Sequence, residues 1–309
     1  MKRADVRVAG FGDNIVDRFI DRRIMYPGGN CVNFAVYSRQ LGVDSAYLGV
    51  FGDDHHGRFV HGILDSLGID LRRCPFRDGP NGATDIEVVD GERFFRSWNE
   101  GGVTASAPFH LTPDDLVYLS GFDLIHSSVF SASVPELPAL RTTGALVSFD
   151  FSDDPAHRTD DYLHAVVPAI DLALVSFAGA VEAQVEDEVR RIAAHGSPLV
   201  LATRGPYGAV LFDGEDFHRV GATGTDPGRF KDTMGCGDAF LAAFTLSLLR
   251  SGWSRATPPS SADIRDALAD GSRYAALQCY VEGAFAHGRR FDDEEYSNHE
   301  QRRVSSAGK

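Results

Sequence analysis

The chain has 309 residues, 43% of them hydrophobic and 24% charged, with a formal net charge of −14. That length and balance suit one large or two small globular domains with a full core, and exclude a disordered chain. The acidic balance argues against a nucleic-acid or anionic-membrane partner, because phosphate surfaces attract positive charge.

No apolar run approaches the ~18 residues of a membrane span. The opening MKRADVRVAGFGDN passes directly into a strand-like stretch and lacks signal-peptide anatomy. Cys31, Cys74, Cys236 and Cys279 are scattered without a CxxC pair, which predicts reduced thiols and no structural zinc site. A cytoplasmic protein is expected.

In chain order, short apolar runs at 5–12, 45–52, 122–128, 145–151, 171–177 and 198–205 read as strands ended by polar residues or glycine. Helical spacing lies between several of them. GRFVHGILDSLG puts Phe59, Ile63, Leu64 and Leu67 on one face, and VEDEVRRIAAHG does so with Val185, Val189 and Ile192. Such alternation predicts a parallel sheet covered on both faces. Residues 82–102 break the rhythm, reading as two extended runs joined by Asp90-Gly91, a hairpin signal. With 18–29 they predict a small separate sheet, either a lid or an ordinary surface hairpin. Residues 254–284 read as a Pro/Ser loop and then a helix capped by Asp263. Residues 289–309 are polar and read as a disordered tail. No internal repeat is present.

Common nucleotide and hydrolase signatures are missing. The chain has three lysines, Lys2, Lys231 and Lys309, none in a GxxxxGK[ST] pattern, which excludes a P-loop. Gly10 and Gly12 begin a dinucleotide fingerprint, but Ile15 occupies its third glycine position. GxSxG and HExxH are absent. Asp53, Asp54, His55 and His56 invite a metal-site interpretation. Neighbouring side chains in a turn point apart, so they read as structural.

DTMGCGDAF, at 232–240, remains. Gly235, Cys236 and Gly237 fall where a long apolar helix begins, and a helix N-terminus offers unpaired amides and partial positive charge. Small residues there let a phosphate approach the backbone without a lysine. Asp238 beside a transferred phosphoryl group has one clear use, accepting the proton of an attacking hydroxyl. The same residues also read as a glycine-rich helix start with an acid stabilised in its first turn.

DTMGCGDAF resembles the C-terminal signature of the PfkB, or ribokinase-like, family of carbohydrate kinases, usually DTxGAGD. GFGDNIVD resembles the family's first strand and substrate turn, YPGGNCVNFAVYSRQLG its Gly-Gly motif, and VFGDDHHGRF its Gly-x-Asp-x-x-Gly segment. ATRGPYGAVLFDG is similar to its nucleotide-side strand and turn. These matches run in order over about residues 5–285.

The resemblance implies a three-layer α/β/α sandwich with a mostly parallel central sheet and a small β-sheet lid. One kinase domain would span 1–288, with lid segments near 18–29 and 82–102. It implies Asp238 as general base, with the amides of Gly235, Cys236 and Gly237 as the anion hole. Asp17, Gly28, Gly29, Asn30 and Asn33 would bind sugar; Thr203, Gly205, Gly208 and Thr233 would line the nucleotide. Asp232 aligns with a position that in some members helps hold a monovalent cation such as K+. ATP and Mg2+ are the expected co-substrate and ion, and a homodimer through the lid is implied.

Two departures stand out. Ser176 and Gly179 occupy the places of the family's Asn-x-x-Glu, with Glu182 out of register, which leaves the magnesium arrangement open. Cys236 replaces the usual alanine, and a thiol at a helix N-terminus is expected to oxidise more readily. Within the family, GDNIVDRF, MYPGGNCVNFAVYSRQLG and the hairpin look most like fructoselysine 6-kinases. Asp85, Glu87 and Glu100 are then candidates to meet a substrate ammonium group, or are solvated strand charges. Fructokinase- or ribokinase-type activity, and a catalytically silent binding protein on this fold, are the alternatives.

Overall fold

The computed structural model describes residues 5–89, 92–177, 179 and 181–292. In chain order β1 (Arg7–Gly12), β2 (Ile15–Phe19) and β3 (Ile24–Gly28) lead into α1 (Asn30–Gln40), β4 (Asp44–Gly49), β5 (Phe51–Gly52), α2 (His55–Ser66) and β6 (Phe76–Arg77). The hairpin strands β7 (Gly82–Val89) and β8 (Glu92–Trp98) follow, then α3 (Val103–Ser106), α4 (Pro113–Leu119), β9 (Leu124–Ser128), α5 (Leu137–Arg141) and β10 (Leu146–Asp150). Next come α6 (Asp160–Val166), β11 (Leu172–Ser176), α7 (Glu182–Ala194), β12 (Leu199–Thr203), β13 (Ala209–Phe212) and β14 (Phe217–Val220). The described chain closes with α8 (Cys236–Ser251), α9 (Ser261–Gln278) and β15 (Arg289–Arg290).

Eight strands form the main sheet in the order β14-β13-β12-β11-β10-β9-β1-β4. The run from β12 to β4 is parallel, and β13 and β14 are antiparallel additions. All six expected strands are in the parallel run. Along β11 and β12 successive apolar residues go to opposite faces: Leu172, Leu174, Leu199 and Leu201 join one core cluster, Ala173, Val175, Val200 and Ala202 the other. A strand apolar on both sides must be covered on both sides, which gives the three layers. The first cluster packs against α1, α2, α8 and α9, and the second against α4, α5, α6 and α7.

A second sheet, β15-β3-β2-β7-β8, stands off the main one and is the expected lid. β2 pairs with β7 in parallel, so the N-terminal segment and the hairpin are one sheet. The Asp90-Gly91 turn lies outside the described residues.

Three local expectations are corrected. On α2 the buried apolar residues are Val60 and Leu64, while Phe59, Ile63 and Leu67 are partly buried at the core margin, so the helix is rotated from the expected face. The N-cap of α9 is Ser260; Asp263 sits at the third helical position and completes a capping box. The polar tail was expected from 289, but Arg289 and Arg290 pair with Met25 and Ile24, because the lid edge at β3 offers free ladder positions. Residues 293–309 lie outside the described ones.

Candidate active site

The carboxyl ends of the parallel strands meet the N-termini of α1 and α8, the place where open α/β sheets bind ligands. Gly235 N-caps α8 with φ +71°, a left-handed conformation natural to glycine. A Cβ there would fall onto the Tyr37 hydroxyl and stand 2.9 Å from the Ala284 Cβ. Gly237 faces open space, where an added Cβ would meet nothing within 4 Å. Cys236 has its amide bonded to the Thr233 carbonyl at 3.2 Å, which leaves the amides of the next turn toward that space.

Asp238, in the first turn of α8, is only 8% exposed. The Asn33 side-chain amide donates to its Oδ2 at 2.8 Å, and the Asn30 amide donates to its Oδ1 at 3.3 Å. Asn30 also donates to Asp150 Oδ2 at 2.7 Å. Burial pushes the Asp238 carboxyl well above the usual carboxylate range; the charges of Asp150 and Asp13 add to it, and the two asparagine amides oppose it. Asp150 is raised to about 6, first by burial and then by the charges of Asp13 and Asp153, against donation from the Ser152 amide and Asn30. A carboxyl so placed is suited to taking a proton from a hydroxyl.

On the sugar side, Gly29 N-caps α1 with φ +110°. Cβ atoms at Gly28 and Gly29 would each stand 2.8 Å from a carboxylate oxygen, Asp17 Oδ2 and Asp13 Oδ2 respectively. The glycines therefore lie against two buried acids. Asp13 Oδ1 accepts from Ser128 at 2.8 Å and from Ser131 at 2.7 Å, which holds it at the end of β1. The candidates Asp17, Gly28, Gly29, Asn30 and Asn33 are thus brought together with Asp238.

Thr203, which ends β12, and Gly205 and Gly208, on the turn before β13, lie outside this group of contacts. Thr203 shares a hydroxyl contact of 3.1 Å with Ser176. Gly208, at φ +83°, is pressed against the Val220 carbonyl, leaving no room for a side chain. Asp232 and Thr233 lie in the loop entering α8. Asp232 Oδ1 accepts from the amides of Thr233 at 2.7 Å and Met234 at 3.0 Å, and Oδ2 from Gly283 at 3.3 Å, so its carboxylate shapes that loop.

Of the expected ammonium partners, Asp85 is bound at 2.7 Å by both Nε and Nη2 of Arg18 in a pair that is 3% exposed on each side. Its charge is neutralised on the spot. Glu87 accepts from Arg96 at 2.6 Å. Glu182 accepts from Arg204 at 3.0 Å and Arg219 at 2.8 Å, one on each oxygen. Among the described residues no group of three or more His, Cys, Asp or Glu side chains is arranged to hold a metal ion.

The residues missed from the sequence are Asp13, with its partners Ser128 and Ser131, and Asp150. Asp13 follows β1 and Asp150 ends β10, each the polar end of an apolar strand in the parallel sheet, a position that the strand-end rule singles out once the sheet is known.

The model of the pfkB family of carbohydrate kinases matches residues 20–287. A fructosamine kinase, FrlD, of Bacillus subtilis is 31% identical over 97% of this chain and 100% of its own length. Fructoselysine 6-kinase of Escherichia coli is 31% identical over 90% and 99%. Among solved structures, Arabidopsis thaliana ribokinase with ribose and ATP superposes with a TM-score of 0.70 at 20% identity, covering 92% of this chain and 94% of that one. Vibrio cholerae fructokinase with fructose, ADP and potassium gives 0.69 at 23% identity, covering 92% and 96%. These two share the fold. The chain belongs to the pfkB family of carbohydrate kinases. It is a sugar kinase, a phosphotransferase with a ribokinase-like fold.

Proposed function

We propose that this kinase transfers the γ-phosphoryl group of ATP to the 6-hydroxyl of a fructosamine such as fructoselysine. The observation that carries the phosphoryl step is the buried Asp238 carboxyl, held by Asn33 and Asn30 at the start of α8. In this reading the sugar hydroxyl sits at Asp238 and gives up its proton as it attacks. The amides of Gly235 and Gly237, joined by that of Cys236 once it leaves the Thr233 carbonyl it holds at 3.2 Å, stabilise the charge that gathers on the transferred oxygens. Asn33 and Asn30 hold the carboxylate in line for the hydroxyl, and the shielding of Asp238 from water prevents futile hydrolysis.

The amine is supported by charge. Asp13, Asp17, Asp150 and Asp238 are all buried around one site; after burial itself, the charges of Asp150 and Asp13 raise the Asp238 carboxyl, and the charge of Asp13 raises that of Asp150. A protonated amine at the end of the sugar away from Asp238 is attracted by this concentration of acids, which a neutral ketose is not. The two relatives at 31% identity carry fructosamine and fructoselysine kinase names, and a fructokinase of Klebsiella pneumoniae is 29% identical over 88% of this chain.

Thr203, Gly205, Gly208 and Thr233 are the proposed nucleotide contacts. Magnesium would neutralise the phosphates of ATP. The residues at the family's Asn-x-x-Glu position do not fit it as ligands: Ser176 is bonded to Thr203, Gly179 has no side chain, and Glu182 is occupied by two arginines. No step here is assigned to it. Asp232 is the residue that would hold K+, and rates in potassium against tetramethylammonium buffers test that. Phe94 and Phe95, 41% and 70% exposed on the edge strand β8, support a homodimer through the lid. Sedimentation velocity tests it. Action in the cytoplasm, away from nucleic acid and membranes, completes the proposal.

A coupled ADP-release assay with fructoselysine, psicoselysine, fructose and ribose tests the substrate. The highest kcat/KM should fall to fructoselysine. A preference for fructose or ribose, or no turnover with any of them, overturns the assignment.

A further inference from the structure

Trp98 ends β8 on the edge of the lid, 46% exposed. Its cross-strand partner is Thr84, and the partner of Thr84 is Asp17. Residues paired across a sheet share a face, so Asp17, Thr84 and Trp98 form a row along the lid surface that carries the sugar-side carboxylate. Strand spacing puts Trp98 roughly 10 Å outward from Asp17 along that row. The residue after Trp98 fixes this end of the strand: Asn99 accepts from the Ala83 amide at 2.9 Å and donates to the Asn81 carbonyl at 2.8 Å.

Across the cleft stands Phe130, half-buried in the turn after β9. Its amide donates at 3.2 Å to Ser128 Oγ, the same hydroxyl that donates to Asp13. The Trp98 and Phe130 rings meet edge to face, 6.1 Å between centroids at 84°. Behind Phe130, His157 makes a second edge-to-face contact at 5.9 Å. An aromatic wall thus joins the lid to the body: Trp98 stands in the sheet row that begins at Asp17, and the Phe130 amide is bonded to the serine that holds Asp13. The Trp98 indole lies nearly half in solvent, where a large apolar side chain gains little from folding alone. An aliphatic chain bearing positive charge is the ligand such a wall suits, by packing and by attraction to the ring faces.

We infer that Trp98 and Phe130 form a subsite for the substituent on the substrate's nitrogen, selecting ketose-amines with an ammonium-bearing aliphatic arm, such as the lysine side chain and zwitterionic end of fructoselysine, over the bare amine or the plain ketose. This rests on the fructosamine reading above. With the 6-hydroxyl at Asp238, the amine on the first carbon lies at the far end of the sugar, and its arm extends outward from there. The pair determines specificity and takes no part in the phosphoryl transfer.

The test measures kcat and KM for fructose, 1-amino-1-deoxyfructose and fructoselysine with the wild type, Trp98→Ala, Phe130→Ala and Trp98→Phe. Alanine at either position should raise KM for fructoselysine about tenfold, the scale of one desolvated cation–aromatic contact. KM for the two armless sugars should stay within about twofold and kcat should hold in all cases, because the reacting end does not touch the wall. Trp98→Phe should recover most of the loss, which also separates the effect from misfolding. If the wild type prefers fructoselysine and that preference survives both alanine variants, or if all three acceptors weaken equally, the subsite is wrong and the fructosamine reading stands. If the wild type turns over fructose and neither amine, both fail together.

Discussion

The side-chain amide of Asn33, on the first helix of the body, donates at 2.8 Å to Oδ2 of Asp238, on a helix 205 residues later in the chain. This bond joins α1, near the proposed sugar positions, to α8 at the proposed proton acceptor. It also favours the ionised form of a carboxyl that burial and two neighbouring acids drive toward protonation. Replacing Asn33 by leucine should therefore raise the Asp238 pKa further. The acidic limb of the kcat/KM profile should move up by about one to two pH units, since a bond to a charged group is worth ~1.5–3 kcal/mol. An unmoved limb would separate Asn33 from the base.

Asp238→Asn keeps the shape and removes the base. Turnover should drop by at least ~10²-fold, with the thermal midpoint unchanged or raised because a buried charge is lost. A loss smaller than tenfold, with the protein folded, would mean that another group takes the proton.

Asp150 couples the site to stability. Its carboxyl is about 6 in the folded protein against 3.8 ordinarily. Between those values the native state keeps a proton that the unfolded chain has released, so stability falls as pH rises through roughly 4 to 6. Asp150→Asn should remove that fall and stabilise the protein at pH 7.5 by about 3 kcal/mol, with no gain at pH 4. Urea denaturation at both pH values checks the sign. The same change relieves Asp238 of one repulsive charge and should shift the acidic limb of the rate profile downward.

The two glycines flanking Cys236 should fail differently. Gly235→Ala forces a positive φ on alanine and drives a methyl group into the Tyr37 hydroxyl and Ala284. A cost of ~1–3 kcal/mol follows from the backbone strain, read as a lowered thermal midpoint. Gly237→Ala meets nothing within 4 Å and should melt like the wild type. If the phosphoryl group occupies that open space, the same variant loses activity and weakens ATP binding. Full activity in Gly237→Ala would move the phosphate elsewhere.

Cys236 has its Sγ 3.6 Å from that of Cys279, and the Cys279 carbonyl accepts from the amides of Lys231 at 2.8 Å and Asp232 at 3.3 Å. Hydrogen peroxide should oxidise the thiol pair by two electrons to a disulfide, itself being reduced to water, and stop turnover by pulling on the phosphate loop. Dithiothreitol should restore activity, and ATP should slow its loss. Cys236→Ala should resist peroxide, and Cys279→Ala should form no intramolecular disulfide in intact-mass spectra. Equal inactivation of Cys236→Ala disproves the effect.

Much of the fold was legible because the parallel strands are apolar on both faces and end at polar or glycine residues. Val185, Val189 and Ile192 on α7 are buried as their spacing implied. The face of α2 was placed a fraction of a turn off: Val60 and Leu64 are buried, and Phe59, Ile63 and Leu67 flank them against the same core. Asp85 looked available to substrate because the sequence does not show that Arg18, 67 positions earlier, lies beside it. Asp13 and Asp150 were hidden for a similar reason: an acid after an apolar run looks like a solvated turn until the sheet order brings β1 and β10 to one rim. The glycine positions at Gly29, Gly208 and Gly235 were legible because positive φ and close backbone approach are local properties.

The lid is assembled from three stretches remote from one another in the chain: β2 with β3, the β7–β8 hairpin, and β15 at Arg289–Arg290. A ribosome must therefore reach residue 290 before the last of these strands can join. Until Arg289 and Arg290 are made, the ladder positions of Met25 and Ile24 on β3 stay unpaired, so this sheet closes later in synthesis than the eight-stranded one.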